Sequence, residues 1–219
     1  MLLKQNNMKK ILFILLTITF TFVNCKKETP TPIPSEPEEV TIGFKTWKTK
    51  NLDVSTYRNG DPIPQVQNDA EWAGLTTGAW CYYNNDPSNG TKYGKLYNWY
   101  AVNDSRGLAP EGWHVPSDAE WTSLTDYLGG EDVAGTKMKS TNGWIAGNGN
   151  NTSGFSGLPG GTRSAFGPFD AVGGLGGWWS STEYIQGTAW YRWLWFDYDS
   201  VDRTTTIKAQ GFSVRCVKD

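Results

Sequence analysis

The sequence predicts an α+β fold: one loop-rich domain with few helices, small antiparallel sheets and a long Gly/Asn-rich loop region. Three observations carry this. Ser117-Asp118-Ala119-Glu120 is a capping box ahead of an amphipathic run, which announces a helix. Phe212 to Val217 alternates apolar and polar side chains with period two, as a strand does. Residues 142–177 are mostly Gly, Asn and Ser, with isolated Trp144, Phe155, Leu158 and Phe166, a loop layer pinned by apolar anchors.

The N-terminus stands outside this domain. Met8-Lys9-Lys10 is a positive start, and Ile11 to Val23 is an apolar run of signal-peptide length ending at Cys25. It is shorter than the ~20 apolar residues a membrane-spanning helix needs. Residues 1–24 therefore read as a lipoprotein signal peptide, with Cys25 as the lipidated residue. Lys26-Lys27-Glu28 then leads into a run with Pro30, Pro32, Pro34 and Pro37, an extended tether over residues 25–39. Anchor, spacer and a single domain over residues 40–219 place the chain at the outer membrane or cell surface. It meets the membrane through its lipid only. Removing residues 1–24 takes away Lys4, Lys9 and Lys10 and no acid. The 20 basic residues fall to 17 against 22 acids, a net charge of −5. That balance argues against a nucleic-acid partner, which would need a basic face.

Within the domain, Thr41–Trp47 and Ala79–Tyr83 read as strands. Leu96 to Val102 reads as a helix, closed by the Asn103-Asp104-Ser105-Arg106-Gly107 turn. The main helix runs from Ser117 to Leu128, with Trp121, Leu124 and Leu128 on one face and Gly129-Gly130 as its stop. Trp178–Ser181, Trp190–Phe196 and Phe212–Val217 are the C-terminal strands. In the last, Phe212, Val214 and Cys216 share one side, and Ser213 and Arg215 the other. Cys81 and Cys216 remain after export, and an oxidising compartment favours a disulfide between them over two buried thiols. The closed loop of about 135 residues would add about 4–5 kcal/mol in the chain-entropy view.

Several ordered motifs resemble one family. They include Gly94-Lys95-Leu96-Tyr97-Asn98-Trp99-Tyr100, Gly112-Trp113-His114-Val115-Pro116-Ser117, Gly154-Phe155-Ser156-Gly157-Leu158-Pro159-Gly160-Gly161-Thr162-Arg163, Trp178-Trp179-Ser180-Ser181 and Gly211-Phe212-Ser213-Val214-Arg215-Cys216. The chain resembles the Fibrobacter succinogenes major paralogous domain of bacterial lipoproteins. More distantly it is similar to the formylglycine-generating enzyme and the C-type lectin-like superfamily. That resemblance implies a C-type lectin-like fold: two helices, small twisted antiparallel sheets and a long loop region. It does not carry the enzyme's activity over. The copper-binding cysteines expected after the Gly-Gly-Trp-Trp motif are absent from Ser180-Ser181-Thr182-Glu183-Tyr184. The one histidine, His114, lies inside a structural motif, so no nucleophile–base pair can be built on it.

Non-catalytic recognition is the expectation that remains, and no cofactor is expected. Calcium is the one candidate ion. Asn148, Asn150, Asn151 and Asp170 offer oxygen donors of the kind it takes, and turn formation by the asparagines is the competing reading. Five of the twelve Trp residues fall between positions 178 and 196. In a strand over 190–196, Tyr191, Trp193, Trp195 and Asp197 share a face, opposite Trp190, Arg192, Leu194 and Phe196. An aromatic row bordered by acids and hydroxyls suits a glycan or protein ligand. The candidate binding residues are Tyr191, Trp193, Trp195, Asp197, Tyr198, Asp199, Asp202 and Thr204. A structural envelope lipoprotein without a ligand is the alternative, and an oxidase of the formylglycine-generating kind is a third. Relatives carry an Asn-rich run where Asp197 to Ile207 stand here. Each of Asp, Tyr, Ser, Thr and Ile is reached from an Asn codon by changing adenines. Ordinary divergence and retroelement-driven diversification both account for that, and Trp193 and Trp195 are not reachable by the second route.

Overall fold

The computed structural model describes residues 37–219. The signal peptide, Cys25 and most of the tether lie outside the described residues. The domain opens with a hairpin, β1 (Glu39–Ile42) and β2 (Lys45–Lys48). The sequence suggested one strand here. Gly43 turns the chain instead, at φ 62, a value that a side chain makes costly. After α1 (Asp69–Ala73) come β3 (Trp80–Cys81), a 3₁₀ turn (Tyr83–Asn85), α2 (Ser88–Tyr93), β4 (Leu96–Tyr97) and α3 (Trp99–Val102). The helix expected over residues 96–102 thus begins only at Trp99, after a two-residue strand. Leu96 and Tyr97 pair with Cys81 and Trp80, and Asn98 starts the helix by accepting the Ala101 N–H at 3.1 Å.

β5 (Trp113–His114), α4 (Asp118–Tyr127) and α5 (Glu131–Met138) follow. The capping box of α4 is formed as read. Ser117 Oγ accepts the Glu120 N–H, and Glu120 accepts the Ser117 N–H at 2.9 Å. Trp121, Leu124 and Leu128 are buried, as the periodicity requires. The C-terminal half holds β6 (Thr162–Arg163), β7 (Phe169–Asp170), β8 (Leu175–Ile185), β9 (Thr188–Trp195), β10 (Asp202–Ile207) and β11 (Val217–Lys218). The described residues form five α-helices rather than the two expected, and the additional ones are short. The class is α+β.

The pairs within the sheets are antiparallel. One sheet has the order β1-β2-β11-β5, so the last strand closes against the first hairpin. A second has the order β10-β9-β8 and carries the candidate site. β3-β4 and β6-β7 are two-stranded. Residues 211–213 join neighbours only through isolated bridges. Their predicted alternation still holds, since Phe212, Val214 and Cys216 all enter one apolar cluster.

Period two explains the Trp178-Trp179 pair. Adjacent side chains on β8 point to opposite faces. Trp178 enters the cluster of Trp47, Trp121, Phe155 and Leu194, while Trp179 enters that of Tyr97, Trp99, Trp113 and Phe212. Their indole N–H groups donate to Asn51 Oδ1 and the Tyr97 carbonyl, each at 2.8 Å. Burying so large an aromatic is economical only when its polar tip is matched in this way. The 142–177 loops are anchored by buried Trp144 and Phe155, but Phe166 is 78 % exposed and anchors nothing.

The disulfide does not form. Cys81 and Cys216 are both buried free thiols. β3 carries Cys81 into a small cluster with Val66, Trp72 and Leu96, while Cys216 packs in the larger cluster with Trp113 and Val214. Burial pushes each thiol up to about 12, against smaller opposing pulls from Arg163 at Cys81 and from Arg215 and Lys48 at Cys216. Both therefore stay protonated and inert at neutral pH.

Candidate functional site

Nine of the twelve Trp side chains are buried. The other three, Trp190, Trp193 and Trp195, are half-buried, and all three stand on β9. The face assignment made from period two holds. Arg192 and Leu194 are fully buried on one face, and Tyr191, Trp193 and Trp195 lie on the other. Cross-strand pairing places Asp202 opposite Trp193 and Thr204 opposite Tyr191. On the β8 side Trp193 faces Gly177, where the Phe212 ring and Leu175 fill the space a side chain would take. Trp193 and Trp195 meet edge to face with centroids 5.7 Å apart. The Trp193 indole nitrogen is buried without a hydrogen-bond partner.

Tyr191 plays a different part from the one expected of a ligand contact. It stacks on Phe212 at 4.5 Å and meets Trp179 at 6.1 Å, so most of its ring is committed to the core. Burial raises its phenol above the ordinary range, with a further push from Asp202. It shares the face of Trp193 and Trp195 and ties the start of that row to the core.

Asp197, Tyr198 and Asp199 are exposed in the turn between β9 and β10. The turn is held from below. Lys139, 2 % exposed, donates to the carbonyls of Tyr198 at 2.7 Å, and of Phe196 and Gly147 at 3.3 Å. Thr136 on α5 donates its hydroxyl to Asp199, and Gly147 lies so close that a Cβ there would meet the Phe196 carbonyl. The eight predicted residues therefore divide. Trp193, Trp195 and Asp202 form a row, Thr204 flanks it, Asp197, Tyr198 and Asp199 form a fixed acidic turn at its end, and Tyr191 is framework.

The sequence reading missed the ion pairs behind this strand. Arg192 is fully buried and donates to Asp118 Oδ1 at 2.8 Å. Arg203 on β10 takes the other Asp118 oxygen at 2.7 Å and lies 3.6 Å over the Trp190 ring. Burial pushes the Asp118 carboxyl up, but the two guanidiniums outweigh that and hold it below the usual carboxylate range. Asp118 also sits in the first turn of α4, where a negative charge is favoured. Arg192, which period two places on one face with Leu194, was the available signal, since a buried guanidinium costs least beside a carboxylate.

The remaining expectations also have places. His114 lies between Asp219 at 2.7 Å and Glu120 at 3.0 Å, tying β5 to α4 and to the C-terminus. The loop asparagines use their carbonyls locally. Asn148 accepts from the Trp144 N–H, Asn150 from Thr152, and Asn151 from the Ser156 N–H. Asp170 is exposed on β7. Turn formation accounts for the three asparagines.

Fold and site together define an α+β domain in which a three-stranded sheet presents a half-buried aromatic row beside a braced acidic turn. The chain belongs to the Fibrobacter succinogenes major domain family, whose sequence model matches residues 40–218. No curated protein and no solved structure matches it.

Proposed function

We propose that this chain is a lipid-anchored binding protein of the outer membrane or cell surface. It takes a glycan or protein ligand on the β9–β10 face of a C-type lectin-like domain and catalyses no reaction. One observation carries the reading. The Trp side chains that the fold leaves half-buried are confined to β9, in a protein that buries the other nine. A half-covered indole pair offers large contact area with few rotors left to freeze, and its faces stack on sugar rings. Asp202 beside the pair and the Asp197–Asp199 turn supply acceptors for a ligand's hydroxyls or cations.

The anchor rests on the sequence of residues 8–39. The absence of catalysis is supported by the chemistry of the available groups. Both thiols are held protonated by burial, and both ring nitrogens of His114 are engaged by carboxylates. The test is an array of glycans and envelope proteins probed with the mature chain. Binding that Trp193→Ala plus Trp195→Ala removes supports the reading. No binding, or binding indifferent to that pair, overturns it.

A further inference from the structure

Three arginines are buried to 1 % exposure or less, and they differ in one respect. Arg163 pairs with Asp69 at 2.9 Å and Arg192 with Asp118 at 2.8 Å. Arg215 has no carboxylate partner among the described residues. Its Nη1 donates to the carbonyls of Lys48 at 2.8 Å and Phe155 at 3.0 Å, its guanidinium lies 4.3 Å from the Phe155 ring centre, and its Nε has no partner at all. A guanidinium removed from water without a counter-charge is costly to the fold. Burial accordingly pushes its pKa down to about 9, so it still carries its proton at neutral pH.

Arg215 lines a cleft of about 380 Å³, within the range of small-ligand sites. The cleft lies between residues 49–53, the α2 segment and the Gly/Asn loops, and shares no residue with the β9 row. Lys50 and Lys92 stand exposed on its wall. Its one carboxylate, Asp53, is already neutralised by Lys95 at 2.6 Å. The cleft is thus cationic in a mature chain of net charge −5. Thr91, Thr141 and Asn142 add exposed hydroxyl and amide groups. An anionic group in the cleft meets the exposed lysines above the unpaired charge of buried Arg215, and hydroxyls on the same molecule meet the polar rim.

We propose that this cleft binds an acidic saccharide, with the carboxylate of a uronic acid residue placed at Arg215 between Lys50 and Lys92 and the ring hydroxyls on Thr91, Thr141 and Asn142. The site is independent of the β9 row, so the two can fail separately. The test uses the mature chain in calorimetric and thermal-melt titrations with digalacturonate, a neutral galactose disaccharide and inorganic sulfate. Digalacturonate is expected to bind and raise the melting temperature, while the neutral sugar does neither. Lys50→Glu plus Lys92→Glu, both on the surface, is expected to weaken binding at least tenfold without loss of fold. Arg215→Lys is expected to do the same, and Phe166→Ala, at an exposed loop position outside both sites, to leave binding unchanged. Should Arg215→Lys fail to fold, the lysine pair still decides. No binding of digalacturonate, or equal binding by the Lys50/Lys92 variant, overturns the site. Sulfate or the neutral sugar binding as tightly as digalacturonate overturns the assignment to an acidic saccharide.

Discussion

Arg192 on β9 and Asp118 at the start of α4 form an ion pair at 2.8 Å, with the guanidinium fully buried and the carboxylate partly so. The pair locks the strand that carries Trp193 onto the best-formed helix in the domain. Removing one partner leaves the other charge buried and unmatched, a loss of about 3–5 kcal/mol. Asp118→Ala is expected to lower stability by that amount in urea unfolding. Arg203→Ala, which removes a partly exposed partner of the same carboxylate, is expected to cost about 1 kcal/mol or less.

The two neighbouring Trp residues of β8 and the two alternate Trp residues of β9 should respond differently to truncation. Trp178 and Trp179 are fully buried in separate clusters. Trp178→Ala is expected to cost about 3–5 kcal/mol. Trp193→Ala, on the half-covered face, is expected to cost clearly less. Equilibrium denaturation of both variants checks the contrast.

Acid stability should track Glu120. Burial raises its carboxyl, but the Ser117 N–H, His114 and Lys45 together hold it at about 2, against an ordinary 4.5. A depressed carboxylate stabilises the fold above its unfolded pKa, and that contribution is lost as pH falls from about 4.5 toward 2. The wild-type chain is expected to lose stability through this window. Glu120→Gln is expected to be less stable at pH 7 by roughly 1–3 kcal/mol and to show a flatter acid limb. Thermal melts at pH 2.5–7 read both effects.

Cys81 and Cys216 are expected to resist alkylation in the native state and to react fully in denaturant. Mass measurement after labelling without reductant should count two modified thiols in the mature domain's unfolded form. A bridged chain would show none.

How much of this was legible in the sequence depends on where the determining forces lie. The Ser117–Glu120 box is local, and it gave the start of α4 to the residue. The period-two split of residues 190–196 is equally local, and Arg192 and Leu194 are buried where it put them. Leu96–Tyr97 looked helical because its partner, Trp80–Cys81, is fifteen residues or more away in the chain. α5 hid behind Gly130 and Gly135, since it is held by packing of Ala134, Gly135 and Met138 and not by an apolar stripe. Cys81 and Cys216 looked paired because composition suggests a redox compartment but not which cluster each residue enters. Tyr191 was placed on the correct face, but its stacking on Phe212 depends on where residue 212 folds back. The same non-local cause hid the cleft at Arg215, whose walls come from five separate stretches of chain.

The central claim is that β9 keeps its half-buried Trp pair for a ligand. It is tested most directly by measuring binding and stability together on the Trp193→Ala plus Trp195→Ala variant. The account predicts loss of ligand binding on the glycan and protein array, with a urea unfolding transition that stays cooperative and a midpoint well above that of Trp178→Ala. Unchanged binding, or a midpoint as low as that of Trp178→Ala, would contradict it.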